Sequence, residues 1–140
     1  MSRAAVFTVL TEDEDLNDLG INEDSVFPNY SLDECPVADG PFLILKWEGQ
    51  EANPFGSVRS PVVLTIWAHY PADVSEDFAD LDLLLDAVDA ALDTLDDTEG
   101  EDGYTVTCVR ATGRGGDLKD EGFHTITKNS AYEVLSRRSI

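Results

Sequence analysis

The sequence predicts an α+β fold: an antiparallel β-sheet of about four strands in two hairpins, with a long acidic amphipathic helix packed on it and short N-terminal helices. Three observations carry this prediction. Residues 75–95 place Phe78, Leu81, Leu85, Val88, Leu92 and Leu95 at alternating spacings of three and four, the period of one helix face. A pair of short runs rich in β-branched and aromatic residues lies on either side of that segment. A hydrophobic fraction of 42% in 140 residues is enough to build one core without disulfides or metals, so residues 1–140 are expected to form a single domain.

Residues 2–10 read as a short helix. Residues 11–20 (TEDEDLNDLG) read as a second, with Thr11 as N-cap, Glu14 closing a capping box and Gly20 placed to end it. Its acids crowd the first turn, where the helix dipole favours them. Residues 22–40, with two prolines and several Asn and Asp turn signals, read as a loop. The run 42–47 (FLILKW), bounded by Pro41 and Gly49, reads as a buried strand, and 62–70 (VVLTIWAHY) as a second. The polar segment 48–61 between them becomes a long loop protruding from a hairpin.

The helix over 75–95 has Ser75 as its expected N-cap, and Leu84 and Ala91 widen the apolar stripe. Burying the six large residues of the stripe contributes on the order of 10 kcal/mol before entropy. The opposite face carries Asp82, Asp86, Asp89, Asp93 and Asp96, and no lysine or arginine follows any of them at i+4. Asp93, Asp96 and Asp97 sit at the negative end of the dipole, where acids cost stability. Residues 98–103 read as a turn, 104–112 as a third strand, 113–122 as a glycine-rich loop, and 123–135 as a fourth strand bent near Asn129 and Ser130. The tail 136–140 is basic.

Charge is spread unevenly. Residues 1–103 hold 25 acidic and 3 basic side chains, and residues 104–140 hold 4 and 6, for a net charge of −20. Such a surface repels phosphate backbones and anionic membranes, so specific nucleic-acid binding and membrane docking are not expected. It suits basic proteins, cations, copies of the chain joined acidic face to basic face, or a surface past which DNA must slide without sticking. No apolar run is long enough to span a bilayer, and the first ten residues lack a cleavable apolar stretch, so no signal peptide is expected. Of the two cysteines, Cys108 is expected as a small buried hydrophobe inside a strand and Cys35 as a free thiol in a loop, which fits a reducing compartment.

Catalytic and metal motifs fail on their spacing. Asp13, Asp15 and Asn17 open like a calcium loop, but Asp18 stands where a glycine is required and Asp24 where the closing glutamate falls. The stretch 113–116 (GRGG) precedes no helix and is not a phosphate loop. His69 and His124 at strand ends read as structural, and no nucleophile elbow, HExxH or CxxC occurs. No metal, no cofactor and no enzymatic activity are therefore expected. The cations Arg110, Arg114, Lys119, Lys128, Arg137 and Arg138 cluster in the last third. They either balance local acids or form a patch that meets the acidic helix of a neighbouring copy, a heterologous contact that closes into a ring or runs on as a filament. Trp47 and Trp67 read as core anchors. Phe55, on the protruding loop, either docks a partner or folds back on the sheet. The expected subunit or partner contacts are Phe55, Arg59, Arg110, Arg114, Lys119, Arg137 and Arg138. The expected acidic surface is Asp82, Asp86, Asp89, Asp93 and Asp96.

The layout resembles the tail terminator (tail-completion) proteins of long, non-contractile-tailed bacteriophages, especially those of actinobacteria. The likeness is carried by LTEDEDLNDLGI (10–21), VFPNYSLDECP (26–36), FLILKWE (42–48), SPVVLTIWAHYP (60–71), DFADLDLLLDAVDAAL (77–92), TVTCVRATGRGGDL (105–118) and GFHTITKNSAYEVL (122–135). The resemblance implies a structural virion protein, assembled in the host cytoplasm. It would form a homohexameric ring at the head-proximal end of the tail, stop polymerisation of the major tail tube protein and join the tail to head-completion or neck proteins. DNA would pass through its lumen unbound. The alternatives are another neck or head-completion protein of the same virion, or an acidic DNA mimic that inhibits a DNA-binding protein.

Overall fold

The computed structural model describes residues 3–27, 40–48 and 60–138. Along the chain these form α1 (Arg3–Glu12), α2 (Glu14–Asp18), β1 (Val26–Phe27), β2 (Phe42–Glu48), β3 (Ser60–Pro71), α3 (Phe78–Asp93), β4 (Thr98–Glu99), β5 (Tyr104–Arg114), β6 (Leu118–Asp120) and β7 (Thr125–Arg138). All seven strands belong to one sheet, ordered β1-β2-β3-β7-β5-β4, with β6 also paired to β7.

This corrects the predicted four-stranded antiparallel sheet with a long helix. The sheet is mixed and curls into a half-barrel. Its parallel element is β1 on β2, with Val26 opposite Leu43 and Phe27 opposite Ile44. β1, β4 and β6 are two or three residues long, too short to show a period of two, and they arise in segments whose composition reads as loop or turn. Backbone groups there pair because the long strands hold a ladder edge beside them. The spine of the sheet is the antiparallel pair β3–β7, in register from Ser60 opposite Ser136 to Pro71 opposite Thr125.

Two N-caps also differ from expectation. Thr11 lies inside α1, and its hydroxyl bonds back to the Phe7 carbonyl at 2.9 Å. Asp13 caps α2 instead, accepting the Leu16 N–H at 3.0 Å. Asp77 caps α3, accepting the Ala79 N–H at 2.9 Å, while the Ser75 hydroxyl donates to Asp80. Aspartate offers a charged acceptor to the positive end of the helix and wins over a nearby hydroxyl. Past α2, Gly20 takes φ +99, its N–H bonds to Asn17 O and that of Ile21 to Leu16 O. This is a Schellman close, with Ile21 and Leu16 both fully buried beneath it.

The main core lies between one sheet face and the helices. α3 contributes Leu81, Leu84, Leu85, Val88, Ala91 and Leu92. The sheet answers with the alternate positions Leu43 and Leu45 on β2, Leu64 and Ile66 on β3, and Tyr132 and Val134 on β7. α1 adds Val6 and Leu10, both fully buried.

Cys108 is exposed rather than buried. The cause is a bulge: Val106 faces Ser136 and Cys108 faces the next residue, Leu135, so Thr107 is the extra residue. One inserted residue reverses every side chain after it. Val106 is fully buried, Cys108 turns outward, and Val109 packs on the core in its place.

The other sheet face holds a small aromatic cluster. The His69 ring stacks on Phe42 with centroids 4.7 Å apart and interplanar angle 3°, and Phe123 stands edge-on to it at 5.5 Å. The Thr127 hydroxyl donates to Ala68 O at 2.9 Å, so toward His69 Nε2, 3.4 Å away, it can only accept. The ring proton therefore belongs on Nε2, and Nδ1 accepts from the Thr125 hydroxyl at 2.7 Å. Burial drives the His69 pKa down from 6.5 to about 4, against the opposing charge of Asp120.

Two outcomes are expected. Between pH 6.5 and about 4 the unfolded chain protonates His69 while the folded chain does not, so stability falls as pH falls through that window, by about 3 kcal/mol in total. Urea unfolding of wild type and His69→Gln across this range should show the variant gaining on wild type by that amount toward pH 4. The common titration of the carboxylates cancels in the difference. Separately, in a Cys35→Ser chain, Cys108 should react with a thiol reagent as fast in the native protein as in the unfolded one.

Candidate functional site

The acidic face of α3 does not stand alone. Asp82, Asp86, Asp89 and Asp93 recur at spacings of four, three and four, so they form one stripe. That stripe runs beside the alternate positions Lys128, Ser130 and Tyr132 of β7. From Asp82 to Asp89 the helix rises about 10 Å, and from Lys128 to Tyr132 the strand rises about 13 Å. Long side chains absorb the small mismatch.

The Lys128 ammonium lies 2.7 Å from Asp82 and 3.1 Å from Asp117. These two carboxylates hold its pKa above the ordinary lysine value. Arg114 forks across the stripe, with Nη1 2.9 Å from Asp86 and Nη2 2.7 Å from Asp89, while Nε donates to Ser130 Oγ at 3.3 Å. The Tyr132 hydroxyl donates to the second oxygen of Asp89. Burial, and then that bond, raise the tyrosine pKa well above its ordinary value. Arg114 reaches the helix because of a second bulge. Ala111 faces Tyr132 and Gly113 faces the adjacent Ala131, so Thr112 is extra. Without it Arg114 would point to the opposite face of the sheet.

The sequence missed this network. The signal was the i, i+2, i+4 set Lys128, Ser130 and Tyr132, whose polar members read as strand surface. The absence of a cation at i+4 along the helix left the aspartates without local partners, but the neutralising charges come from β5 and β7 in tertiary contact.

The other expected contact residues lie apart. Arg110 pairs with Glu133 directly across β5–β7 at 2.7 Å, with 72% and 39% of the side chains exposed. Lys119 is exposed on β6, and Arg137 and Arg138 end β7 opposite Thr105 and Tyr104. None of these last three has an ion-pair partner among the described residues. Phe55 and Arg59 lie outside the described residues.

Asp93 and Asp96 stay exposed and unpaired among the described residues, and so do Asp97, Glu99, Glu101 and Asp102. One end of the molecule, from the C-terminus of α3 through β4 to the start of β5, is thus a wall of carboxylates without ion-pair partners among the described residues, of which Asp102 accepts the N–H groups of Ala4 and Tyr104, both at 3.2 Å. A cavity of about 490 Å³ opens there between α1 and α3, floored by Val9 and Leu95 and rimmed by Glu12, Glu99 and Glu101. His124 is exposed at φ +54 beside a separate cavity of about 350 Å³ lined by Glu76, Lys119 and Glu121. Among the described residues no group of three or more His, Cys, Asp or Glu is arranged to hold a metal ion, and no helix is long and apolar enough to cross a membrane. No protein-family model and no curated protein sequence matches the chain.

The two kinds of ion pair should separate on mutation. Arg114→Ala leaves Asp86 and Asp89 facing each other on a half-buried seam and should cost about 1–3 kcal/mol. Arg110→Ala breaks an exposed pair and should cost under about 1 kcal/mol. Denaturant unfolding at one salt concentration measures both.

Proposed function

We propose that the chain is a structural virion protein similar to the tail terminators. Copies of it close a ring, of six by the resemblance, at the head-proximal end of a tail tube. The ring ends tube polymerisation, meets the neck or head-completion proteins and lets DNA pass without binding it. The resemblance over 10–135 is one support. The observation that carries the reading is the wall of unpaired carboxylates formed by Asp93, Asp96, Asp97, Glu99, Glu101 and Asp102. On folded backbone, and without ion-pair partners among the described residues, such a wall repels a phosphate backbone at short range even at physiological ionic strength. It suits the lining of a channel for DNA.

The in-chain network narrows the subunit contacts. Arg114 and Lys128 already neutralise α3, so of the expected contact cations among the described residues those left for a neighbouring copy are Lys119, Arg137 and Arg138. These sit on β6 and at the end of β7.

Light scattering across concentration and salt tests this. A mass near six times 15.3 kDa, formed alone or on addition of purified tail tubes, is the expected result. Lys119→Glu combined with Arg138→Glu should shift the ring toward monomer without lowering monomer stability. A chain that stays monomeric with tubes present and instead binds a basic host protein in a salt-sensitive way would replace this reading with the DNA mimic.

A further inference from the structure

The sheet ends on an open edge. β4 pairs with β5 only at Thr105 and Val106, and two further backbone bonds reach β5, from Asp97 to Thr107 O and from Gly100 to Tyr104 O. Over residues 108–114 no described strand pairs with the outer side of β5, and every one of these residues but half-buried Val109 is exposed. The backbone N–H and C=O groups that point away from β7 along this stretch are those that an added strand would bind.

A groove runs along the same edge. It has a volume of about 300 Å³ and lies between β5 and α3, floored by Leu92, Val109, Ala111 and Tyr132 with Asp89 and Asp93 on its rim. Because alternate residues of a strand face one side, every second side chain of a strand laid on β5 would enter this groove. An open ladder edge and an apolar pocket beside it are independent features, and they coincide here.

We infer that the outer edge of β5 and its groove against α3 form a docking site for an extended segment of a basic partner protein, added to the sheet as a further strand. The segment carries small or medium apolar side chains toward the groove and lysine or arginine near Asp93. Charge selects this occupant over a second copy. Asp86 and Asp89 share one guanidinium, Arg114, and Asp93 on the rim has no ion-pair partner among the described residues, so the groove is net negative, and another copy would bring a further −20 to it. The bulge at Thr112 also breaks the edge into short stretches, which opposes long edge-to-edge pairing of identical chains but admits a short peptide. The site shares Asp93 with the acidic wall but does not depend on the ring reading.

Amide hydrogen exchange on the full chain tests the site. The probe is the seven-residue peptide Lys-Thr-Val-Thr-Val-Thr-Lys, whose odd positions share one face and so bring valines to the groove and a lysine toward Asp93, with glutamate in place of both lysines as the control. The valine–lysine peptide should slow the outward amides of 108–114 by about ten-fold or more, and the control should not. Ala111→Trp, which fills the groove and keeps every charge, should abolish that protection. Asp93→Lys, at an exposed position, should weaken it about ten-fold while leaving the fold's circular dichroism unchanged. Three results would each overturn the assignment. These are binding of the peptide without protection of 108–114, protection of Ala111→Trp equal to that of wild type, and protection of the same amides with rising protein concentration and no peptide, which would make the occupant a second copy.

Discussion

The fold depends on how α3 is held to the sheet. Beneath the helix, leucines and Val88 remove apolar surface from water, which supplies most of the driving force but little direction. Along its margin, Asp82, Asp86 and Asp89 meet Lys128, Arg114 and Tyr132. Burial of the stripe necessarily carries these aspartates toward the sheet, since both lie on one short cylinder. Without cations on the facing strands the helix would press like charges against a low-dielectric surface. The polar seam therefore sets the position at which the apolar face can settle.

The partners of that seam are aimed by irregularity in β5. One bulge at Thr107 brings Val109 to the core, and a second at Thr112 turns Arg114 toward the helix. Each shifts the inward and outward sets of the strand by one residue. An unbroken β5 would send Cys108 inward and Val109 outward, and the first bulge without the second would turn Arg114 away from the aspartates. On its outer side β5 has no long neighbour among the described strands, so the strand that anchors α3 also forms an open edge of the sheet.

Charge on the finished surface is consequently not the charge of the chain read from end to end. Half of the cations in the basic last third are consumed within the molecule: Arg110 by Glu133, Arg114 and Lys128 by α3 and Asp117. One cluster of the remaining negative charge stands at the C-terminal end of α3 and around β4, where the helix dipole makes it least stable. A cost in stability kept at one place, on ordered backbone, points to use of that surface rather than to solubility alone.

The apolar stripe from Phe78 to Leu95 and the runs FLILKW and VVLTIWAHY were legible in the sequence, because a period of 3.6 or 2 records which side of an element is buried. Gly20 as a helix stop was legible for a local reason as well: its left-handed φ is open to glycine and costly for others. The sheet's size was not legible, since β1, β4 and β6 are too short for any period and exist only as partners of longer strands. Nor was the exposure of Cys108 or the reach of Arg114, because a bulge is a mismatch in count between two strands and neither strand carries it alone. The sequence by itself determined which faces are apolar and how much charge the chain carries, as these are properties of single segments. Only the tertiary structure decided which charges cancel, because an ion pair between residues 25 or more apart forms wherever packing brings the two within about 3 Å, and that distance appears in no local pattern.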